Sequence, residues 1–519
     1  MKKREDHVYD LKNVVIVGGG TAGWITALQL SRNPFIDVTV IQPLNGSSIG
    51  VGESTQPDFM KLLSESGIEL AEFLTECDAT FKCGIYYEDW NKIGTNYWHP
   101  FSQMSSTGTY TIAHHYQQLI MSDPEKYTHE GYYEAVHPSY NVCVKNNLLD
   151  IDACKALHVD ADKMHRFFRK ILKNKVTVIE PTTMEVFTED EHIDHILCDN
   201  EIKVIADLYV DCTGFNHLLG KEIGNTELEY YHENVESAIF ARIPYLDRDK
   251  EMLPYTKAHA QKHGWIWTIP LNSRIGSGYV YTKNSCTPEE AEQNFREYWG
   301  VERMKDVPLK HLTFRSDALK TPWKNNVVAI GLSSGFVEPL EATGINWIVT
   351  ASGYLTKLIG RNYYDQKTIS TYNNGMANYV QDVQDFVDVH YKLTARRDSK
   401  LWEYHSQRGH HPRLIKRLDI YKKQMPSKWN RIMEMPWAFN EISWIDILNG
   451  YEFKYDKVNI FDYVISGVEK EMRRQKLLRD TRIEKCKTQQ QLLKAINDLY
   501  ETQRLEELSN QQQSSTGME

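Results

Sequence analysis

Short apolar runs that end at glycines recur through the first two thirds of the chain. The runs at 14–17 and 38–41 flank a helical stretch at 24–31, and two further apolar runs lie at 206–215 and 326–332. Strand, glycine turn and helix in this order are typical of a βαβ unit, whose strand ends form a ligand-binding edge. The pattern therefore predicts an α/β fold with a Rossmann-like sheet assembled from separated pieces.

The segments between these runs differ in character. Two insertions, near 85–140 and 236–308, are more aromatic and less regular, and the first is dense in tyrosine, tryptophan and histidine. Such a density suits a pocket for a flat substrate, and it equally suits an ordinary core or a subunit contact. We expect one region over 1–370 that includes both insertions.

A helical, highly charged pattern follows over 371–508. Its last part, Glu469 to Leu508, has leucines and isoleucines at helical spacing among charged residues, which predicts an amphipathic helix for packing or self-association. The polar residues 509–519 predict a disordered tail.

Composition narrows the classes of partner. The 519 residues can bury a large core, and the net charge of -10 with an isoelectric point near 6.0 gives no reason to expect nucleic acid or an anionic membrane as a partner. The N-terminus is charged, and no run of 18 apolar residues occurs. We expect a soluble cytoplasmic protein that acts on small molecules.

Cysteine and histidine spacing argues against a metal site. The eight cysteines lack CxxC spacing, so we expect reduced, mostly buried thiols rather than a disulfide framework. The adjacent pairs His114-His115 and His410-His411 lack the i, i+4 spacing of helical metal ligands. The sequence predicts no bound metal.

The first glycine cluster has the spacing of a dinucleotide-binding turn, Gly18-Gly19-Gly20-Thr21-Ala22-Gly23. Gly18 permits the turn, Gly20 lets the backbone approach a pyrophosphate, and Gly23 allows close helix packing. The ribose-contact position, about 20 residues further on, falls at Gln42, where an acidic residue is usual. A glycine turn without any ligand is the alternative.

A second helix start has the features of an anion site. Apolar residues recur at helical spacing from Ile345 to Ile359, so the Thr343-Gly344 pair should sit at a helix N-terminus. Free amides and the helix dipole would attract an anion there, although a plain capping turn would look identical.

Two tryptophans two residues apart lie in the segment Gly264-Trp265-Ile266-Trp267-Thr268-Ile269-Pro270. On a strand, Trp265 and Trp267 would point to the same face. An ordinary pair of core residues would have the same spacing.

Four motifs together resemble the flavin-dependent halogenases of the tryptophan-halogenase type. They are the glycine turn 18–23, the GVGEST segment 50–55, the WIWTIP segment 265–270 and the FVEPLEATGI segment 336–345. WxWxIP is the specific one, and the resemblance spans roughly 14–360. It implies a Rossmann-like FAD-binding domain of the flavin monooxygenase type over 1–370, with an inserted substrate region and a helical C-terminal region.

The chemistry implied by the resemblance is halogenation of an electron-rich arene. Reduced FAD reacts with oxygen to a flavin hydroperoxide, which a halide attacks to give hypohalous acid. The matching lysine is Lys82, which could orient the acid by hydrogen bonding or form a haloamine. Glu341 matches the catalytic glutamate that polarises the acid or takes the arene proton, with Glu338 as the neighbouring alternative.

The resemblance also implies the remaining site residues. The halide would bind at Thr343 and Gly344, and Trp265 and Trp267 would lie near the flavin. His99 and Phe101 would sandwich the arene with a C-terminal tryptophan, for which Trp444 and Trp437 are both candidates. FAD would contact a larger set of residues: Gly18, Gly20, Thr21, Ala22, Gly23, Gln42, Gly50, Val51, Gly52, Glu53, Gly331 and Leu332.

No second dinucleotide fingerprint occurs, so the resemblance implies a separate NAD(P)H-dependent reductase that supplies reduced flavin. Two alternatives stay open. A flavin monooxygenase would hydroxylate the arene without halide, and a non-catalytic flavin-binding protein would bind the cofactor without turnover.

Overall fold

The computed structural model describes residues 9–44, 50, 52–101, 106–107, 110–231, 234–360, 362–430, 438–456 and 462–516. Val51 and Trp437, two residues singled out from the sequence, lie outside these ranges.

The strands of the described residues are mostly short. In chain order they are β1 (Tyr9–Asp10), β2 (Asn13–Val17), β3 (Asp37–Ile41), β4 (Glu53–Ser54), β5 (Thr80–Lys82), β6 (Gly84–Glu88), β7 (Asn96–Pro100), β8 (Ser106–Thr107), β9 (Tyr110–Thr111), β10 (Ala156–Val159), β11 (Thr177–Ile179), β12 (Met184–Glu189), β13 (His192–Cys198), β14 (Ile202–Val204), β15 (Leu208–Asp211), β16 (Leu228–Tyr230), β17 (Ser237–Ile243), β18 (Thr256–Gln261), β19 (Gly264–Pro270), β20 (Ile275–Tyr281), β21 (Lys310–Thr313), β22 (Asp317–Leu319), β23 (Trp323–Lys324), β24 (Val327–Ala329), β25 (Gly335–Phe336) and β26 (Tyr363–Tyr364).

The longer helices lie in the C-terminal part. In chain order the α-helices are α1 (Thr21–Leu30), α2 (Pro57–Glu65), α3 (Leu70–Glu76), α4 (Ile112–Ser122), α5 (His129–Val136), α6 (Ala161–Leu172), α7 (Leu218–Glu222), α8 (Arg248–Glu251), α9 (Pro288–Trp299), α10 (Val301–Met304), α11 (Thr343–Leu358), α12 (Gln366–Leu393), α13 (Lys400–Gln407), α14 (Pro412–Lys423), α15 (Glu441–Gly450), α16 (Asp462–Ile483) and α17 (Gln489–Thr516). Short 3-10 turns cover Gly214–Asn216, Gly331–Ser333 and Pro339–Glu341, and a π-helical turn covers Tyr140–Lys145.

The apolar runs predicted as strands meet in one six-stranded sheet, in the order β11-β3-β2-β15-β24-β23. Its pairings are parallel except for the edge pair β24–β23. Because β2, β15 and β24 run in the same direction, the glycines that follow them come together at one edge. The prediction of a parallel sheet built from separated segments is confirmed.

A seven-stranded sheet combines the two insertions, in the order β21-β17-β20-β19-β18-β6-β7. Strands β6 and β7 come from the first insertion and β17 to β20 from the second, and they join through the parallel pair β6–β18. The sheet therefore carries the two tryptophans on β19 and the aromatic hairpin β6–β7 in a single layer.

The C-terminal region is helical, as predicted, and α12 is largely buried. Three of its carboxylates lie against arginines of the following segments: Asp382 pairs with Arg417, Asp385 with Arg413, and Asp388 with Arg408. Helix α17 ends at Thr516, and the disordered tail over 509–519 stays a prediction.

The prediction of reduced thiols is wrong for two cysteines, because Cys83 and Cys154 form a disulfide. Strand β10 pairs with β5 so that Ala156 faces Lys82, which brings the neighbouring Cys83 and Cys154 together from 71 residues apart. Both cysteines are buried. The remaining cysteines are free: Cys77, Cys143, Cys198, Cys212, Cys286 and Cys486.

Within the described ranges, no helix combines the length and the apolar character that crossing a bilayer requires. The same residues contain no grouping of three or more side chains suited to holding a metal ion.

Candidate active site

The predicted nucleotide-binding turn lies at the edge of the parallel sheet, between β2 and α1. Gly18 has φ +120°, and a Cβ there would lie 2.2 Å from the carbonyl oxygen of Cys212. A Cβ on Gly23 would lie 1.8 Å from the Gly18 carbonyl oxygen, whereas one on Gly20 would meet nothing within 4 Å. No side chain caps α1, which leaves its first amides available to a phosphate group placed in this open space.

Gln42 lies over this turn at the end of β3. A Cβ on Gly19 would lie 2.3 Å from the Gln42 Cγ. The Gln42 Oε1 is buried and has no hydrogen-bond partner among the residues that the structure describes. A buried acceptor without a partner is costly unless a ligand supplies a donor, and a ribose hydroxyl is a suitable one.

The glycine that follows β24 lies at the same edge of the parallel sheet, beside the start of α1. Gly331 has φ +74°, and a Cβ there would lie 2.7 Å from the Ala22 Cβ, so the 3-10 turn Gly331–Ser333 packs directly on the start of α1. Leu332 in this turn is half-buried. The structure thus brings the glycine turn 18–23 and the glycine that ends the apolar run 326–332 together.

The second motif lies beside the end of β19. Gly52 has φ +135°, and a Cβ there would contact Leu271 at 3.3 Å. The carbonyl oxygen of Gly50 accepts a hydrogen bond from Arg242 at 2.7 Å. Burial, together with Asp160 and Asp162, raises the pKa of Glu53 to about 7. These acidic neighbours lie at the start of α6, whose His165 also bonds the Thr21 hydroxyl at 2.9 Å, so the first two motifs flank one helix.

Gly20→Val is expected to abolish FAD binding without unfolding the protein. The added side chain meets no protein atom but occupies the space that a pyrophosphate at this turn needs. FAD titration monitored by fluorescence, with thermal unfolding in parallel, checks this. Gly409→Val is the matched control, because its Cβ also meets nothing within 4 Å. A Gly20→Val protein that binds FAD with unchanged affinity contradicts the placement.

Lys82 ends β5 and is completely buried. Its Nζ donates to the Thr55 carbonyl oxygen at 3.0 Å and lies 4.3 Å from the centroid of the Phe101 ring. Burial lowers the pKa of Lys82 well below its usual value, although the nearby Glu341 carboxylate partly opposes this. A buried amine with a single hydrogen-bond acceptor among the described residues is unusual for a structural lysine, since an ammonium group has three donor positions.

Glu341 lies in the turn that precedes α11 and is also completely buried. Three side chains bond its carboxylate: Tyr87 Oη at 2.5 Å, His99 Nδ1 at 2.8 Å and His390 Nε2 at 3.1 Å. Burial alone would raise the pKa of Glu341, but His99 and His390 overcome it and hold the pKa at about 2. The carboxylate is therefore ionised throughout the physiological range.

Glu338, the alternative to Glu341, occupies a different environment. Its Oε1 accepts hydrogen bonds from Tyr391 Oη at 2.7 Å and Trp265 Nε1 at 3.3 Å. Burial raises the pKa of Glu338 to about 7. The two neighbouring glutamates therefore differ in acidity, and it is Glu341 that acts on Lys82 electrostatically.

The two tryptophans of β19 lie on one face, as the spacing predicts. Their ring centroids are 6.1 Å apart, and the Trp265 ring also contacts Trp90 at 6.2 Å. Trp267 lies flat on Gly278, where a Cβ would come within 2.2 Å of its ring. Together they form a rigid aromatic wall on the sheet that also carries β6 and β7.

The Thr343-Gly344 pair begins α11, as predicted. The preceding Ala342 has φ +56° and offers no side chain to cap the helix. Thr343 is buried, while Gly344 is exposed, and a Cβ there would meet nothing within 4 Å. The first amides of α11 are therefore not capped by a side chain, and the space around Gly344 is open.

The predicted arene sandwich is brought together in part. The His99 and Phe101 ring centroids are 5.4 Å apart. Trp444 instead contacts Phe386 at 4.9 Å, and the Phe386 ring in turn lies 5.5 Å from His99. Phe439, stacked on Phe386 at 3.7 Å, lies 6.2 Å from His99. The rings nearest His99 on this side are thus Phe386 and Phe439, with Trp444 behind them.

Four residues of the site escaped the sequence analysis: Tyr87, Phe386, His390 and Phe439. Phe386 and His390 are four residues apart on α12 and so share one helix face, which is the one local signal that links any of them. The insertion's tyrosine density included Tyr87 but did not mark it out from its neighbours.

Comparison with known proteins identifies the family to which the chain is similar. The sequence model of the tryptophan halogenase family matches residues 13–460. The tryptophan 6-halogenase SttH of Streptomyces toxytricini is 32% identical over 445 residues, which cover 80% of this chain and 85% of SttH. The tryptophan 7-halogenase RebH of Lentzea aerocolonigenes is 28% identical over 442 residues, 80% of this chain and 82% of RebH.

Solved structures of tryptophan halogenases have the same fold as this chain. The SttH crystal structure superposes with a TM-score of 0.84 at 30% identity over 93% of this chain and all of SttH. Tar14, a tryptophan C-6 flavin-dependent halogenase of taromycin biosynthesis, gives 0.83 at 30% identity over 93% of this chain and 99% of Tar14. The predicted α/β class with a Rossmann-like FAD-binding fold is confirmed. The chain belongs to the tryptophan halogenase family.

Proposed function

We propose that this protein halogenates an electron-rich aromatic compound, with Lys82 and Glu341 as its catalytic residues. As a member of its family it is a flavin-dependent halogenase that uses reduced FAD and a halide and receives reduced flavin from a separate reductase. Bound reduced FAD supplies the electrons that activate oxygen toward the halide. The identity of the arene and the roles of individual residues belong to the proposal.

One observation carries the assignment of the catalytic pair. Lys82 and Glu341 are both fully buried and interact electrostatically, with the Phe101 and His99 rings beside them. An amine in this position can hydrogen-bond and orient a neutral hypohalous acid. A fixed carboxylate stabilises the positive charge that develops as the arene gains a halogen. Burial keeps water, a competing nucleophile, away from both.

The remaining roles follow the geometry of the two helix starts and the aromatic wall. We assign FAD to the edge formed by residues 18–23, Gln42, 50–53 and 331–332, supported by the open space at Gly20 and the unpaired Gln42 Oε1. The halide is assigned to the amides at Thr343 and Gly344. Trp265 and Trp267 would separate the flavin from the substrate.

The arene would lie against His99 and Phe101, with Trp444 contributing through Phe386. These aromatic neighbours favour a flat substrate such as an indole or a phenol. His99 and Phe101 are nearly buried, at 2% and 8% exposure, so an arene placed there would be largely removed from water.

Location and assembly complete the proposal. We place the enzyme in the cytoplasm, where NAD(P)H is available to a flavin reductase. Self-association through the C-terminal helix is supported by Leu499 and Leu505 of α17, which are 60% and 66% exposed. Nucleic acid and membranes have no part in the proposed reaction.

Mass spectrometry of the products tests the function. The protein is incubated with FAD, a flavin reductase, NADH and a mixture of indoles and phenols, with chloride, bromide and iodide in separate tubes. We expect a halogen mass shift that requires both protein and halide. A product that gains one oxygen atom regardless of halide identifies a monooxygenase instead, and bound flavin without any product identifies a non-catalytic binding protein.

A further inference from the structure

The carboxylate of Glu341 is held by donors from three separate elements. Tyr87 comes from β6, His99 from β7 and His390 from α12. Oε1 accepts from Tyr87 and His390, and Oε2 accepts from His99. Three donors on a fully buried carboxylate fix its rotamer as well as its charge.

The hydrogen-bond partners fix the protons of His390. An ionised carboxylate can only accept, so the His390 Nε2 must carry the hydrogen that Glu341 receives. Burial lowers the pKa of His390, which leaves one ring hydrogen in the neutral form. The His390 Nδ1 is therefore an acceptor, and its partner at 2.6 Å, Tyr97 Oη, donates to it.

A second tyrosine completes the chain. Tyr97 already donates its only hydroxyl hydrogen to His390. The Tyr451 Oη, at 2.9 Å, must therefore donate to the Tyr97 oxygen. The order of donation is Tyr451 to Tyr97 to His390 to Glu341, with no freedom in direction. Stacking supports the arrangement, because the Tyr87 ring lies 4.6 Å from Tyr97 and 4.9 Å from His390.

We propose that His390 is a positioning residue for halogenation: with its tautomer set by Tyr97 and Tyr451, it holds Glu341 ionised and aimed at the reacting arene. This inference rests on the proposed function of Glu341. The titratable groups that face Glu341 are Lys82 on β5, Tyr87 on β6, His99 on β7 and His390 on α12, with Tyr97 and Tyr451 behind His390.

Removing the His390 donor is expected to lower the halogenation rate and also to shift the pH dependence of that rate. In His390→Leu we expect kcat for halogenation to fall about 10- to 100-fold, as for the loss of one positioned donor. The acid limb of its pH profile should also move up by about one pH unit or more, because burial then raises the pKa of Glu341 with less opposition. His390→Gln keeps an N–H donor and should recover most of the rate and the original profile.

Tyr97→Phe tests the hydrogen bond from Tyr97 to His390. It leaves His390 in place but removes the donor that sets its tautomer, so we expect a smaller loss, about 3- to 10-fold, with an intermediate shift of the acid limb. His405→Leu is the control for loss of a buried imidazole, because His405 lies on α13 and bonds Arg408 rather than Glu341. Its pH profile should match that of the unaltered enzyme.

An infrared measurement tests the inference without turnover. At pH 5, His390→Leu should show the C=O stretching band of a protonated carboxyl group, and this band should be weaker in the unaltered protein. Adding Glu341→Gln to His390→Leu should remove the band, which assigns it to Glu341. Absence of this band, or a His390→Leu rate loss with an unshifted pH profile, overturns the positioning role. If no protein halogenates but the band appears as expected, the proposed function fails while the hydrogen-bond chain stands.

Discussion

Lys82→Met is expected to eliminate halogenated product while the protein still binds FAD and consumes oxygen. Methionine fills the volume of the buried side chain but has no N–H to orient hypohalous acid and no amine to be halogenated. The fold should tolerate the change, because the amine makes a single hydrogen bond within the part of the chain that the structure describes, to Thr55, and its burial is unfavourable for a charge. Product analysis, oxygen uptake and FAD titration on the same preparation check the three parts.

Lys257→Met provides the matched control for this change. Lys257 also lies over an aromatic ring, 5.7 Å from the Tyr298 centroid, but it lies on β18 and pairs with Glu88 rather than facing Glu341. It should retain full halogenation. Product formation by Lys82→Met above the level of a reaction without protein would remove Lys82 from the mechanism.

Glu341→Gln is expected to slow halogenation by about 10- to 1,000-fold, the range for losing one positioned charge or base. Glutamine cannot be an anion, and its amide group presents N–H donors where Tyr87, His99 and His390 already donate. The measurement is the single-turnover rate of product formation with reduced FAD in excess, which separates the halogenation sequence from product release.

Glu338→Gln is the informative comparison for this prediction. The pKa of Glu338 near 7 means that about half of the population is already neutral at that pH, so glutamine reproduces a form that the protein populates. We expect a change of less than about fivefold in the rate. The reverse order, with a large loss in Glu338→Gln and none in Glu341→Gln, would transfer the catalytic role to Glu338.

Local sequence patterns predict the scaffold of this site well. The strands β2, β3, β15 and β24, the start of α11 and the shared face of Trp265 and Trp267 each follow from residues close together in the chain. Glycine spacing and apolar periodicity encode such features directly, because they depend on backbone conformation and on which side of a strand a residue faces.

The interactions of the site could not be predicted in this way. The donors on Glu341 come from positions 87, 99 and 390, and only the joining of β6 to β18 and the placement of α12 bring them together. The disulfide likewise depends on the β5–β10 register, and the position of Phe386 between His99 and Trp444 depends on how α12 packs against α15. Long-range packing decides all three.

The position of β7 has a consequence for how new specificities could arise. It is the outermost strand of its sheet and bonds to β6 alone, while Tyr97 and His99 sit on it and Gly450 at the end of α15 lies against Tyr97. Substitutions in β7 outside Tyr97 and His99 can change the surroundings of the proposed arene site without altering β19 or the parallel sheet that we assign to FAD. Directed evolution toward other arenes should therefore accumulate substitutions in the facing helix α15 and in β7 outside these two residues, with cofactor affinity as the property that stays constant.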